Sequence, residues 1–275
     1  MHGLKAATVF LGGGRITSAL CAGLRRGGFA GDIAVYDRNP EKLRLLRKES
    51  HVEIARDLES AVARAQLLIV AVRPSSVGPL LAQVSATGAV AGLCVSLAAG
   101  IPLSVLRKHM PTPARWVRAM PSPVCRVGRG LTAISFDRPV SLSQRKCVCE
   151  FFERVGQVVE VPERRLDAFT AAYSSSHGYH ALAALASAAQ RAGLDRKTAL
   201  IAAAHALADG IQYWRESGLG LDQLLREAAT PGGIAAATLQ AMDRAGYAAL
   251  VAKGIQAGVR QAKQNARASH PALRS

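Results

Sequence analysis

Apolar positions fall in two textures along the chain. In the first, short continuous apolar runs alternate with stretches at helical spacing. Thr8 to Leu11 is such a run; it meets Gly12-Gly13-Gly14 and passes into an amphipathic stretch from Ile16 to Arg26. That order predicts a strand, a glycine turn and a helix. Asp32 to Tyr36 predicts a second strand, closed by Asp37-Arg38-Asn39-Pro40, where Asn-Pro favours a turn before helical spacing resumes over Glu41 to Glu49. Leu67 to Val72, ending in Arg73-Pro74, and Gly92 to Leu97, ending in Ala98-Ala99-Gly100, are apolar on both faces. Strands of that kind are buried between two helical layers and run parallel. The alternation predicts an α/β fold built on a doubly wound sheet.

From about Arg165 onward strand-like segments vanish and alanine dominates. Ala181 to Ala192, Thr198 to Ser217, Leu221 to Ala229, Ile234 to Ala245 and Tyr247 to Ala268 all support helices, punctuated by Gly193, Gly218 to Gly220 and Pro231-Gly232-Gly233. The expected organisation is a sheet domain over 1–162 and an all-helical domain over 163–275, packed together, since no low-complexity linker separates them. Helices rich in alanine on several faces approach one another closely and do not bury themselves alone, which points to a dimer interface. No internal repeat is visible.

Composition narrows the class. At 275 residues, 49% hydrophobic and 20% charged, the chain excludes global disorder and favours two domains. No apolar run approaches the roughly 18 to 20 residues a membrane span needs, and Met1 to Ala7 has no signal-peptide core. The expectation is a soluble cytoplasmic protein with no membrane partner. The 35 Lys and Arg outnumber 19 Asp and Glu, a net charge of +16. The basic residues are scattered, densest over Lys253 to Arg274, without the interleaved aromatics of a phosphate-tracking surface, so nucleic acid is not an expected partner. Five cysteines, Cys21, Cys94, Cys125, Cys147 and Cys149, are odd in number and lack CxxC spacing. They read as reduced thiols, and no metal is expected.

The glycine turn carries the first candidate chemistry. In Gly12-Gly13-Gly14-Arg15-Ile16-Thr17, Gly12 allows the tight turn and Gly14 lets a pyrophosphate approach the free amides at the start of the helix. Thr17 takes the third position of the fingerprint, where Gly or Ala is usual, and is expected to push helix and strand slightly apart. Asp37 follows Gly12 by about 25 positions, at the end of the second strand, where a carboxylate accepts the ribose diol of NAD. Arg38 beside it is able to stack on adenine or grip a 2′-phosphate, so NAD and NADP both stay open. Ala71, Arg73-Pro74 and Ala99 fall at the carboxyl ends of predicted strands, where such sheets form their ligand crevice.

Taken in order, Phe10-Leu-Gly-Gly-Gly, Val72-Arg-Pro, Ser96-Leu-Ala-Ala-Gly, Arg118-Ala-Met-Pro, Val127-Gly-Arg-Gly, Asp167-Ala-Phe-Thr-Ala and Pro231-Gly-Gly resemble the pyrroline-5-carboxylate reductase family over nearly the whole chain. The resemblance implies an N-terminal Rossmann domain and a C-terminal all-helical dimerisation domain. It implies a homodimer or a higher oligomer of dimers, with the active site between one subunit's cofactor and the helical domain. The implied reaction is hydride transfer from NADPH or NADH to the C=N carbon of a cyclic imino acid, as in proline biosynthesis or on a related imine.

On that resemblance the cofactor set is Gly12, Gly14, Arg15, Ile16, Asp37, Arg38, Ala71, Arg73, Pro74, Ala99, Met120 and Ser122. Ser122 stands where the family has the asparagine of MPNTP, which faces the nicotinamide. The substrate set is Ser174, Ser175, Ser176, Gly232 and Gly233, with Thr170, Ser175 and His177 as catalytic candidates. These motifs depart from the family pattern. Where the family reads SGSGPAY, this chain has Tyr173-Ser-Ser-Ser-His-Gly-Tyr179, sharing Ser175 and Tyr179; where it reads PGGTT, Ile234-Ala235 replace both threonines. Each hydroxyl lost from a carboxylate site removes roughly 1.5 to 3 kcal/mol. The serine loop offers hydroxyls in exchange, but at the expense of two glycines that allow close approach. Either a different imine or weak proline formation is expected.

Several roles stay open at this level. His177 is able to protonate the imine or bind a carboxylate, or else is a histidine at a helix start. Thr170 is a donor to the substrate nitrogen or a cap. Tyr173 narrows the pocket or takes part in chemistry. Two further function classes stand beside the reductase: a catalytically impaired dinucleotide-binding homodimer with a regulatory or structural role, and a nucleic-acid binder whose affinity falls steeply with salt.

Overall fold

The computed structural model describes residues 7–89 and 91–269. Among these, the chain up to Tyr173 and from Ala257 onward forms one compact unit, and Ser174–Gln256 form a second.

The first unit is a single eight-stranded sheet. Its strands are β1 (Ala7–Leu11), β2 (Ile33–Tyr36), β3 (Glu53–Ile54), β4 (Ala65–Val70), β5 (Leu93–Ser96), β6 (Arg115–Met120), β7 (Gly130–Phe136) and β8 (Gly156–Glu160), in the order β3-β2-β1-β4-β5-β6-β7-β8. All neighbours pair in parallel except β6 and β7. The strand order reverses at β1, so the crevice between the β1 and β4 carboxyl ends is where ligands bind such sheets.

Alternation along the strands feeds two helical layers. Phe10 packs with Leu20 and Leu24 of α1 (Arg15–Arg26), Leu43 and Leu46 of α2 (Pro40–Ser50), and Phe151 and Phe152 of α6 (Leu142–Glu153). Its neighbours Val9 and Leu11 pack on the other face, with Val62 of α3 (Leu58–Ala63), Val77 and Leu81 of α4 (Pro74–Ala86) and Leu106 of α5 (Leu103–His109). Fully burying side chains of this size stabilises by roughly 1.5 to 3 kcal/mol each, which is why every residue of β1 but Thr8 is apolar. β6 is less uniform. Trp116 joins the second layer with its indole donating to Met110 O at 3.1 Å, whereas Arg118, 2% exposed, carries a charge into the same face. It is met by α7 (Glu163–Ala172): Arg118 Nη2 bonds Asp167 Oδ1 at 2.8 Å and Nη1 lies 3.4 Å from Glu163 Oε1.

The second unit is helical, with α8 (Ser175–Arg191), α9 (Arg196–Ser217), α10 (Leu221–Ala228), α11 (Ile234–Arg244) and the start of α12 (Tyr247–Ala268). α8 and α9 pack together. Two helices start earlier than their apolar periodicity predicts, and caps explain both. Ser174 accepts from Ser176 N ahead of α8, and Asp195 accepts from Lys197 N and Thr198 N ahead of α9. Hydrogen bonds from the Thr198 side chain, and then from those amides, hold the Asp195 carboxyl below its usual range. Large apolar side chains remain at the surface of this unit: Tyr179, Ile211, Trp214, Leu250 and Ile234, the last 88% exposed.

Candidate functional site

A cleft of about 800 Å³ opens at the carboxyl ends of β1, β2 and β4. It is within the size range of small-ligand sites. It gathers Gly12, Gly14, Arg15, Ile16, Asp37, Arg38, Ala71 and Arg73, eight of the residues predicted to hold a dinucleotide.

The three glycines do different work. Gly12 has φ +113°, and a Cβ there would fall 2.5 Å from Ala71 O, so the turn from β1 against the end of β4 closes only without a side chain. Gly13 donates its amide to Asp37 Oδ2 at 2.6 Å. Gly14 has extended backbone (φ −78°, ψ −176°), and a Cβ there would meet nothing within 4 Å. The fold therefore does not require a glycine at 14. What its bare backbone leaves accessible is the start of α1, which has no side-chain cap and no acidic residue in its first turn. Unclaimed amides and the positive end of the helix dipole at a cleft form an anion site. Thr17, in the third position, is fully buried and donates its hydroxyl to Gly12 O at 2.6 Å, so the hydroxyl is satisfied where the strand turns into the helix.

Charge on the cleft wall suits a phosphorylated ligand. Arg15, Arg38, Lys42 and Arg73 line it and are exposed, and Asp37 is the one acid among its lining residues. Both carboxylate oxygens of Asp37 take a backbone amide, Oδ2 from Gly13 and Oδ1 from Asn39 at 2.8 Å. Asp37 thus clamps the glycine loop to the end of β2, with lone pairs left on each oxygen. Lys42, Ser75, Ser76 and Gln83 also line the cleft but were not singled out in the sequence. The signal for Lys42 was available: Asn39 accepts the Lys42 amide as the N-cap of α2, which sets that lysine in the first turn, over the end of β2.

The other predicted cofactor residues lie off this lining. Pro74 opens α4. Ala99, after β5, and Met120, at the end of β6, meet in a small cluster with Ala133, Val161, Leu166 and Phe169. Ser122 is buried and caps the 3-10 turn Pro123–Val127, accepting from Val124 N at 3.3 Å. Thr170 sits on α7 beside that cluster, with its hydroxyl donated to Leu166 O one turn back at 2.7 Å. Tyr173 is structural in its contacts: its hydroxyl accepts the Leu131 amide at 2.9 Å and its ring tilts against Phe169.

The substrate candidates belong to the second unit. Ser174 and Ser176 share a hydroxyl–hydroxyl bond of 2.7 Å at the start of α8; Ser175 lies between them, and His177, exposed, donates its amide to Ser174 O at 3.0 Å. Gly232 has φ +79°, and Gly233 is the N-cap of α11, again without a side-chain cap.

Residues 163–265 match the family described as pyrroline-5-carboxylate reductase dimerisation, and residues 8–100 match NADP oxidoreductase, coenzyme F420-dependent. The chain is 33% identical to a pyrroline-5-carboxylate reductase of Mycobacterium tuberculosis, over 94% of this chain and 96% of that one. It is 30% identical to a pyrroline-5-carboxylate reductase of Synechocystis, over 92% and 96%. Among solved structures it resembles a Plasmodium falciparum pyrroline carboxylate reductase with NADP bound, at 20% identity, a TM-score of 0.84 and coverage of 97% and 99%.

Proposed function

The chain belongs to the pyrroline-5-carboxylate reductase family, and on that premise we propose that it reduces the C=N bond of a cyclic imino acid, with pyrroline-5-carboxylate as substrate and proline as product. The observation that carries the reading is the glycine cradle. Gly14 leaves open space before an uncapped helix start, in a cleft walled by Arg15, Arg38, Lys42 and Arg73. That donor set fits a nicotinamide dinucleotide. When bound, this group supplies the hydride that reduces the imine carbon.

The chain's own residues bind and orient. Gly12, Gly14, Arg15 and Ile16 present the amides and charge for a pyrophosphate. Arg38 and Lys42, exposed at the end of β2, offer two cations to a 2′-phosphate, while the Asp37 carboxylate is held by Gly13 N and Asn39 N. On this ground the preferred cofactor is NADPH. Ala71, Arg73 and Pro74 shape the crevice floor; Ala99, Met120 and Ser122 shape the end of the site nearest α7. Ser174, Ser175 and Ser176 supply hydroxyls, and Gly232 and Gly233 amides, to the substrate carboxylate. His177 is the candidate proton donor to the imine nitrogen. Thr170, whose hydroxyl is engaged by Leu166 O, turns outward to become a donor.

The exposed apolar side chains of α8 to α12 are covered by a second copy of the chain, giving a homodimer or an oligomer of dimers. The five unpaired cysteines are in keeping with a cytoplasmic setting. The test is a titration of the protein with NADPH and NADH, followed by a panel of cyclic imines with and without a carboxylate. Saturable dinucleotide binding and fastest turnover with pyrroline-5-carboxylate support the reading. Dinucleotide binding without turnover on any imine replaces it with a noncatalytic dinucleotide-binding dimer.

A further inference from the structure

Residues 257–269, the second part of α12 and the turn residue that follows it, lie along two loops that follow the central strands: Ala98–Gly100 after β5 and Arg73–Pro74 after β4. Ala262 is buried, and its carbonyl occupies the place of a side chain on Gly100, where a Cβ would fall 2.3 Å away. Gly100 also has φ +79°, so both its conformation and its neighbour demand glycine. One turn on, Asn265 Nδ2 donates to Ala99 O at 3.4 Å. A further turn on, Ser269, 8% exposed, has its hydroxyl within reach of Pro74 O at 3.0 Å and Asn265 O at 2.9 Å, with one proton shared between the two acceptors. The Ser269 carbonyl in turn lies 3.6 Å from where a Cβ of Gly78 on α4 would stand.

Ala262 and Asn265 are three residues apart on one stripe of α12, and Ser269, just past the helix end with its amide bonded to Asn265 O, continues that stripe. A helix that merely covers a core presents large apolar groups along such a stripe. This one presents a small residue and two polar ones, each aimed at a loop carbonyl, and the loops are those that carry Arg73, Pro74 and Ala99. We infer that the end of α12 and the turn residue after it brace these loops for dinucleotide binding, with Asn265 and Ser269 as positioning residues. The inference rests on the dinucleotide reading of the cleft. Loops already held in their bound shape lose less freedom when a ligand arrives, so the brace acts on affinity for the dinucleotide and leaves the imine's own contacts alone.

The full chain is compared with Ser269→Ala, Ser269→Thr, Asn265→Ala and the Ser269→Ala/Asn265→Ala pair. Binding of NADPH is read from nicotinamide fluorescence without imine, beside thermal melts and the KM of each substrate. Loss of one neutral hydrogen bond corresponds to a weakening of about fivefold for Ser269→Ala and about twentyfold for the pair, with Ser269→Thr, which keeps the hydroxyl, within about twofold. The imine KM stays within about twofold throughout. If the pair does not fold, the two single variants carry the test. A lowered melting temperature with unchanged NADPH affinity would overturn the inference, as would a Ser269→Thr variant as weak as Ser269→Ala. Failure of the unsubstituted protein to bind either dinucleotide overturns it together with the proposed function; normal binding by every variant overturns the brace alone.

Discussion

Adding one methyl group at Gly12 and at Gly14 should give opposite results, although the two residues are two apart in the same loop. At Gly12 the new Cβ would sit 2.5 Å from Ala71 O and 2.9 Å from Ala71 C, at φ +113°. Backbone strain of about 1 to 3 kcal/mol adds to an overlap of about 1 to 3 kcal/mol that only movement of β4 relieves. We expect Gly12→Ala to lose about 3 to 5 kcal/mol, a fall in Tm of roughly 10 °C. At Gly14 the conformation is open to any residue and the methyl meets nothing. Alanine is a poorer N-cap than glycine but restricts the unfolded chain, so the net change is within about 1 kcal/mol. The methyl is expected to crowd a pyrophosphate that approaches the α1 amides. Displacing one charge-assisted hydrogen bond of about 1.5 to 3 kcal/mol raises the NADPH Kd by roughly tenfold to a hundredfold. Thermal melts and fluorescence titration of each variant separate the two effects. Wild-type NADPH affinity in Gly14→Ala, or a melting temperature as low as that of Gly12→Ala, would refute the reasoning that glycine at 14 serves the ligand and glycine at 12 the fold.

Three further outcomes follow from the same contacts. Replacing Arg38 and Lys42 together by Ala should weaken NADPH at least tenfold and NADH less than twofold in parallel titrations; equal losses for both would remove the 2′-phosphate assignment. Arg118→Met takes the buried cation from Asp167 and from Glu163, which still accepts the Leu103 amide, and should cost about 1 to 3 kcal/mol in chemical denaturation, with part of the loss recovered on adding Asp167→Asn. Burial pushes the Cys21, Cys94 and Cys125 thiols up to about 12 from 9.0, so unfolded thiols ionise first and the unfolded state holds fewer protons above pH 9. Stability from these groups is complete below about pH 9 and falls as pH rises toward 12, while at pH 8 alkylation should modify exposed Cys147 and spare those three until the protein is denatured.

The chain's legibility varied with how directly local pattern reports burial. β1 and its glycine turn read cleanly because Ala7–Leu11 is buried at every position and apolar at all but Thr8. The Ala-rich span Tyr247–Ala268 read to the residue, since nothing in it competes with helix. β6 did not stand out. A buried arginine interrupts it, and the acids that make Arg118 tolerable lie 45 and 49 residues away, beyond any local pattern. β8 lies at the sheet edge, so its exposed positions carry no apolar alternation, and β3 spans two residues. In the cleft, the glycine fingerprint and Asp37 were visible as a motif. Ser75, Ser76 and Gln83 were not, because polar residues on a helix look like any solvated face. The engaged hydroxyls of Thr170, Tyr173 and Ser269 depend on where a distant or preceding carbonyl or amide falls, which sequence alone does not place.

The central claim is hydride delivery to the carbon of a cyclic C=N bond. It is tested most directly with NADPH deuterated at the transferable position of its nicotinamide, pyrroline-5-carboxylate as acceptor, and mass spectrometry of the product. The account predicts proline carrying a single deuterium on the ring carbon that had been double-bonded to nitrogen. Proline without label, or no proline from protein whose NADPH binding has been verified, would contradict it.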